Sequence, residues 1–93
     1  MKIIKLKFDN TLTIISGSDY GEEVFNEQVK NEIDYKSMNE IDFGSNIQII
    51  GISFVQGFTK EIFTHIDKSD FSKHFVIKGT DKAVQKFMKA VRY

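Results

Sequence analysis

The apolar and polar positions of this chain follow two periods that alternate along its length. From Lys2 to Phe8 the pattern is strand-like, alternating after Ile3 with Ile4, Leu6 and Phe8 on one face and Lys5 and Lys7 on the other. Asp9-Asn10 offers a tight turn, because both residues tolerate positive φ, and the β-branched run Thr11 to Ile15 follows. Together these segments predict an N-terminal hairpin. Beyond the turn and cap residues Ser16-Gly17-Ser18-Asp19 the period becomes helical, with Tyr20, Val24, Phe25, Gln28, Val29 and Ile33 on one stripe. A first helix is expected over residues 19–32, with Glu22 and Glu23 in its first turn, near the exposed backbone N–H groups.

A polar connector, Asp34 to Asn39, leads into Glu40 to Phe43 and, past Gly44-Ser45-Asn46, into Ile47 to Ile50. This stretch is so rich in Ile and Phe that it reads as the central strand, covered on both faces. Phe54, Phe58, Ile62, Phe63 and Ile66 then recur at helical spacing and predict a second helix from Ser53 to Asp67. His74 to Lys78 reads as a short strand. After Gly79, Thr80 is the expected N-cap of a last helix, with Ala83, Val84, Phe87, Met88 and Val91 inward and Lys82, Lys86 and Lys89 outward. The order β-β-α-β-α-β-α predicts an α/β domain. Its sheet is expected to be four-stranded, mixed and mostly parallel, with helices packed on it and the hairpin adding an antiparallel edge.

With 93 residues, 41% of them hydrophobic, the expectation is a single domain over 1–93 with one core, which claims most of the nine Phe and three Tyr. The absence of Cys excludes disulfides and thiolate catalysis and fits a reducing compartment. No apolar run approaches the roughly 18 residues of a membrane span, so no membrane association and a cytoplasmic location are expected. Net charge is zero, but its distribution is uneven. Asp19 to Asp42 carries eight acids against Lys30 and Lys36, and Lys73 to Arg92 carries six bases against Asp81. Such segregation gives either two solvated helix faces or a dipole that steers a charged partner.

Catalytic chemistry finds little support. His65 and His74 lie in different predicted elements, and without Cys they form no zinc-binding spacing. No GxSxG elbow occurs. Gly17 and Gly21 have a spacing like that of a phosphate loop, but no GK[ST] follows, and helix capping explains them better. Asp42 and Glu61 fit solvated or capping roles better than an acid and base pair. Aromatics interleaved with bases occur only at Lys86-Phe87 and Arg92-Tyr93, which speaks against a nucleic-acid platform. No catalytic residue, metal or cofactor is therefore expected.

One junction stands apart. An Ile-rich strand ends at Gly51, Ile52 and the hydroxyl of Ser53 follow, and Phe54 and Gly57 open an apolar helix. These five residues form the candidate partner-binding and regulatory site. The Ser53 hydroxyl reads either as an N-cap or as a position that carries a phosphate, because helix N–H groups and the helix dipole favour negative charge there. Phosphorylation of Ser53 would add about −1.5 to −2 charges.

The stretch Glu40 to Ile62 resembles the core of the STAS-like domain family, which has an acid-aromatic pair on the central strand and a Ser-Phe pair opening a helix. Asp42-Phe43 and Ser53-Phe54 are the matching pairs; Gly21 and the segment HFVIKGTDKAVQKFM agree with the flanks, so the likeness covers residues 16–91. The resemblance implies a STAS-type fold with a regulatory loop before the second helix. In the anti-sigma factor antagonists of that family, a Ser in this loop is phosphorylated by a histidine-kinase-like ATPase. This loop departs from their Asp-Ser-Ser-Gly-like motif and offers one hydroxyl, Ser53. The leading expectation is a bacterial, non-enzymatic regulatory module that engages a protein partner, such an ATPase or another regulator, through the loop Ile50 to Phe54 and the exposed side of the second helix. The alternatives are a phage- or mobile-element-encoded inhibitor with an acidic decoy surface, and a small-molecule or nucleotide-binding domain.

Overall fold

Every strand pair in the structure is parallel, and each joins segments far apart in sequence. The computed structural model describes residues 1–92. In chain order the elements are β1 (Lys2–Lys5), β2 (Ile14–Ile15), α1 (Ser18–Val24), a π-helical turn (Phe25–Val29), β3 (Asn39–Asp42), β4 (Ile49–Ile50) and α2 (Ile52–Thr59). Then come α3 (Ile62–His65), a 3-10 turn (Lys68–Asp70), α4 (Phe71–His74), β5 (Phe75–Lys78) and α5 (Asp81–Arg92). One sheet has the order β1-β3-β5, and β2 and β4 form a second, two-stranded one. The chain is thus an α/β protein, with five strands in two parallel sheets among the described residues where one mixed four-stranded sheet was expected.

The expected hairpin does not form. Two-residue hairpin turns need positive φ at both central residues (type I′) or at the first (type II′), and no non-glycine residue among those described has it. Asp9 instead folds the chain locally. Its carboxylate accepts the Thr11 N–H at 2.9 Å and the Thr11 hydroxyl at 2.7 Å, and its carbonyl accepts the Leu12 N–H at 3.0 Å. The backbone bond first, and then the hydroxyl bond, hold the Asp9 carboxyl below the usual range. The chain resumes its direction after this turn, so β1 and β2 lie along β3 and β4 as two interrupted lines. Phe8 and Phe43, from the two interruptions, stack with centroids 6.1 Å apart.

Burial on β3 and β5 alternates, which also corrects the reading of the central strand. Asn39 and Ile41, with Phe75 and Ile77, face the helices and are buried, whereas Glu40, Asp42 and Val76 are half-buried and Lys78 is exposed. β3 is central in the sheet but covered on one face only. Isoleucines over residues 47–50 made the segment look two-sided, yet they belong to the loop and to β4.

The core lies between the covered face and the helices. Phe43, Phe54, Phe58 and Phe87 form one aromatic cluster, with centroids 5.6–6.4 Å apart. Each such buried ring contributes roughly 1.5–3 kcal/mol over an exposed one. Thr80 caps α5 as expected, its Oγ1 accepting the Ala83 N–H at 3.1 Å and donating to the Ile47 carbonyl at 2.9 Å. On α5, Ala83, Phe87 and Val91 are buried and Lys82, Lys86 and Lys89 exposed. Of the interleaved pair Arg92-Tyr93, Tyr93 lies outside the described residues.

Candidate functional site

The junction before α2 rests on the pairing of β2 with β4. Ile15 is in register with Ile50, and the Gly51 N–H donates to the Ile15 carbonyl at 2.9 Å, so the segments leading into α1 and α2 lie side by side. Gly51 heads α2 in an extended conformation, and no side chain caps the helix. Ser53 is therefore not the N-cap of α2. It sits in the first turn, and its Oγ accepts the Gly17 N–H at 3.2 Å, the backbone donor at the head of the neighbouring α1. Gly17 has φ 94°, a region that favours glycine.

α1 and α2 cross at two glycines. Gly21 is buried in α1, and a Cβ there would collide with the Phe54 carbonyl oxygen; Gly57 is buried in α2, and a Cβ there would collide with the Ser18 carbonyl oxygen. Gly21 is thus a packing residue and not a cap. Phe54, just before this crossing, is fully buried against Tyr20 at 5.6 Å and Phe58 at 5.8 Å between centroids.

Of the five residues singled out in the sequence, Phe54 and Gly57 lie inside and Gly51 is half-buried. Ile52 and Ser53 reach solvent, Ile52 with 46% exposure. With Gln56 and, just past the end of α2, Lys60, they form an exposed line. Ile14, 54% exposed, stands at the same end of the strands, one residue before the carbonyl that holds Gly51.

Beyond the crossing a hollow of about 340 Å³ opens between the continuation of the first helix and the end of the second, lined by Glu22, Asn26, Lys30, Lys60, Glu61 and Thr64. Two ion pairs join its walls, Lys30 to Glu61 at 3.2 Å and Lys60 to Glu22 at 3.7 Å. Asp42 and Glu61 are not brought together. Asp42 accepts the Gly44 N–H at 2.8 Å on the uncovered sheet face, while Glu61 belongs to the helical layer. His65 stacks on Tyr35, centroids 4.3 Å apart, and the Tyr35 hydroxyl is buried with no hydrogen-bond partner among the described residues. Burial, and next the charge of Glu61, push its pKa up. Among the described residues no group of three His, Cys, Asp or Glu is placed to hold a metal ion. No described helix is long and apolar enough to cross a membrane.

Two structural residues escaped the sequence reading. Asn39 is fully buried; its Oδ1 accepts the Asp34 N–H at 2.9 Å, and its Nδ2 donates to the carbonyls of Asp34, Ser37 and His74 at 2.8, 3.1 and 3.2 Å. Gln28, on the π-helical turn, accepts the Lys7 N–H at 2.7 Å and donates to the Lys7 carbonyl at 3.0 Å. A lone Asn opening an apolar strand was the available signal for the first; nothing local marks the second. No protein-family model, no curated protein and no solved structure matches the chain.

Proposed function

We propose that this chain is a regulatory protein-binding module of STAS-like type, without chemistry of its own, that docks a signalling partner through the head of α2. The observation that carries the reading is Ile52. It is a large apolar side chain, 46% exposed, on a helix whose Phe54, Val55, Gly57, Phe58 and Thr59 are all buried. Ile14 adds a second exposed apolar group at the same end of the strands. Ser53 lies beside Ile52 and touches the head of α1, so a phosphoryl group there would set charge at the mouths of two helices and at the rim of the apolar patch. A histidine-kinase-like ATPase or another regulator is the class of partner this implies. The STAS-like assignment is supported by the meeting of its two aromatic anchors, Phe43 and Phe54, 6.4 Å apart in the core.

Affinity capture from host lysate with three baits tests the proposal: the natural chain, Ile52→Asp and Lys89→Ala. The natural chain and Lys89→Ala are expected to retain the same protein and Ile52→Asp to lose it, with all three melting alike. Equal capture by all three, or capture sensitive only to Lys89, sinks the reading. Ser53→Glu is expected to alter that capture, and Ser53→Ala to leave it nearly unchanged.

A further inference from the structure

The three-stranded sheet carries a second surface, the free edge of β1. β1 is the outer strand of its sheet, and Lys2 and Leu6 turn their N–H groups inward to the Met38 and Asp42 carbonyls, both at 2.9 Å. Backbone groups of successive strand residues point to opposite sides. Those of Ile3, Lys5 and Lys7 therefore point outward. At Lys7 the Gln28 amide makes the two bonds that the peptide groups of a neighbouring strand would make, which closes the edge at that position. Among the described residues the outward groups of Ile3 and Lys5 have no such cover. Ile3 is 59% exposed and Lys5 is exposed as well.

The register with the inner neighbour sets two acids alongside these positions. On the uncovered face Glu40 of β3 stands beside Ile3, and Asp42 beside Lys5. A second strand on the outer side meets the same two side chains, with Lys7 next along the same face. We propose that the β1 edge takes up an extended acidic segment of a partner protein as a fourth strand, next to Ile3 and Lys5, with acids at alternate positions. Main-chain bonds supply the attachment and the lysines select the charge. A second copy of this chain fits poorly, because its own β1, Lys2–Lys5, brings no acid to these lysines. This surface is independent of the head of α2.

The probe is the peptide Val-Glu-Val-Asp-Val-Glu-Val, compared with the same peptide carrying Lys at its three acidic positions. Each is titrated into the isotope-labelled full chain while amide resonances are followed. The acidic peptide is expected to bind at least about tenfold more tightly than its counterpart, shifting the Ile3 and Lys5 amides and slowing their exchange. Lys5→Glu should reverse the preference. Ile3→Pro should abolish binding with the circular dichroism unchanged, since it removes only an outward donor; if that variant does not fold, Lys5→Glu decides. Equal binding of the two peptides, shifts confined to Ile52 and Ser53, or self-association through β1 would each overturn the proposal.

Discussion

The carbonyl oxygen of Ser18 stands where a Cβ on Gly57 would have to be, so α1 and α2 meet backbone against backbone. Gly57→Ala is expected to cost about 3 kcal/mol, since neither backbone can yield without opening the Phe54 and Phe58 contacts behind it. Gly21→Ala meets the Phe54 carbonyl in the same way and should cost as much. Gly44→Ala serves as the contrast. Gly44 has φ 81° and open space around it, so only the backbone penalty of about 1–2 kcal/mol applies. Urea denaturation of the three variants measures the difference; equal costs would disprove the close crossing.

Removing the Asn39 amide should be among the most damaging single changes. Asn39→Ala leaves a donor and three carbonyls without that amide and is expected to lose roughly 2–4 kcal/mol. Asn39→Asp should be worse at neutral pH, because a carboxylate would then face the Asp34, Ser37 and His74 carbonyls. Its folded pKa would be raised, so the Asp variant should regain stability as pH falls through that raised value. A Tm of the Asp variant that does not rise relative to Asn39→Ala on acidification speaks against this.

Tyr35→Phe is expected to be neutral or to stabilise by about 1 kcal/mol, because the hydroxyl it deletes is buried without a partner. The same residue shapes the alkaline limb. Its folded pKa lies above the unfolded one, so its contribution is complete below the ordinary tyrosine pKa and is lost as pH rises through the folded value. Tyr20, raised first by burial and then by Glu23 and Glu27, acts in the same direction. Stability measured against pH should therefore fall on the alkaline side, less steeply in Tyr35→Phe; an unchanged slope would rule Tyr35 out as a contributor.

The ion pairs across the helical hollow should matter little. Lys30 and Glu61 are well exposed, and a double-mutant cycle on them is expected to give less than about 1 kcal/mol of coupling. A larger value, unaffected by salt, would mean that the hollow is drier than its exposure indicates.

Periodicity revealed which residues enter the core but not which strands pair. Ile4, Leu6, the stripe from Val24 to Val29 and the inward row of α5 were all legible, because each lies within one element and obeys one period. The partner of β1 was not, since Asp9-Asn10 fits a hairpin turn and a local Asx turn equally well and only the distant register with β3 decides. The junction at Gly51 to Ser53 was located correctly by its punctuation. That Ser53 bonds Gly17 and does not cap α2 was not legible, because this bond connects positions far apart in the chain. Gly21 and Gly57 sat inside helical patterns, a known sign of close approach, but what they approach is a matter of tertiary structure.

The parallel registers also set the order in which the protein can be made. Lys2 has no strand to join until Asn39 has left the ribosome, Ile14 waits for Ile49, and Asn39 in turn waits for Phe75. Pairing over such separations is slow, and the early strands remain unsheltered while synthesis continues. The lysines of the first strand then have an earlier task than any in the finished fold: they keep a nascent isoleucine-bearing segment in solution until the chain that will cover it arrives.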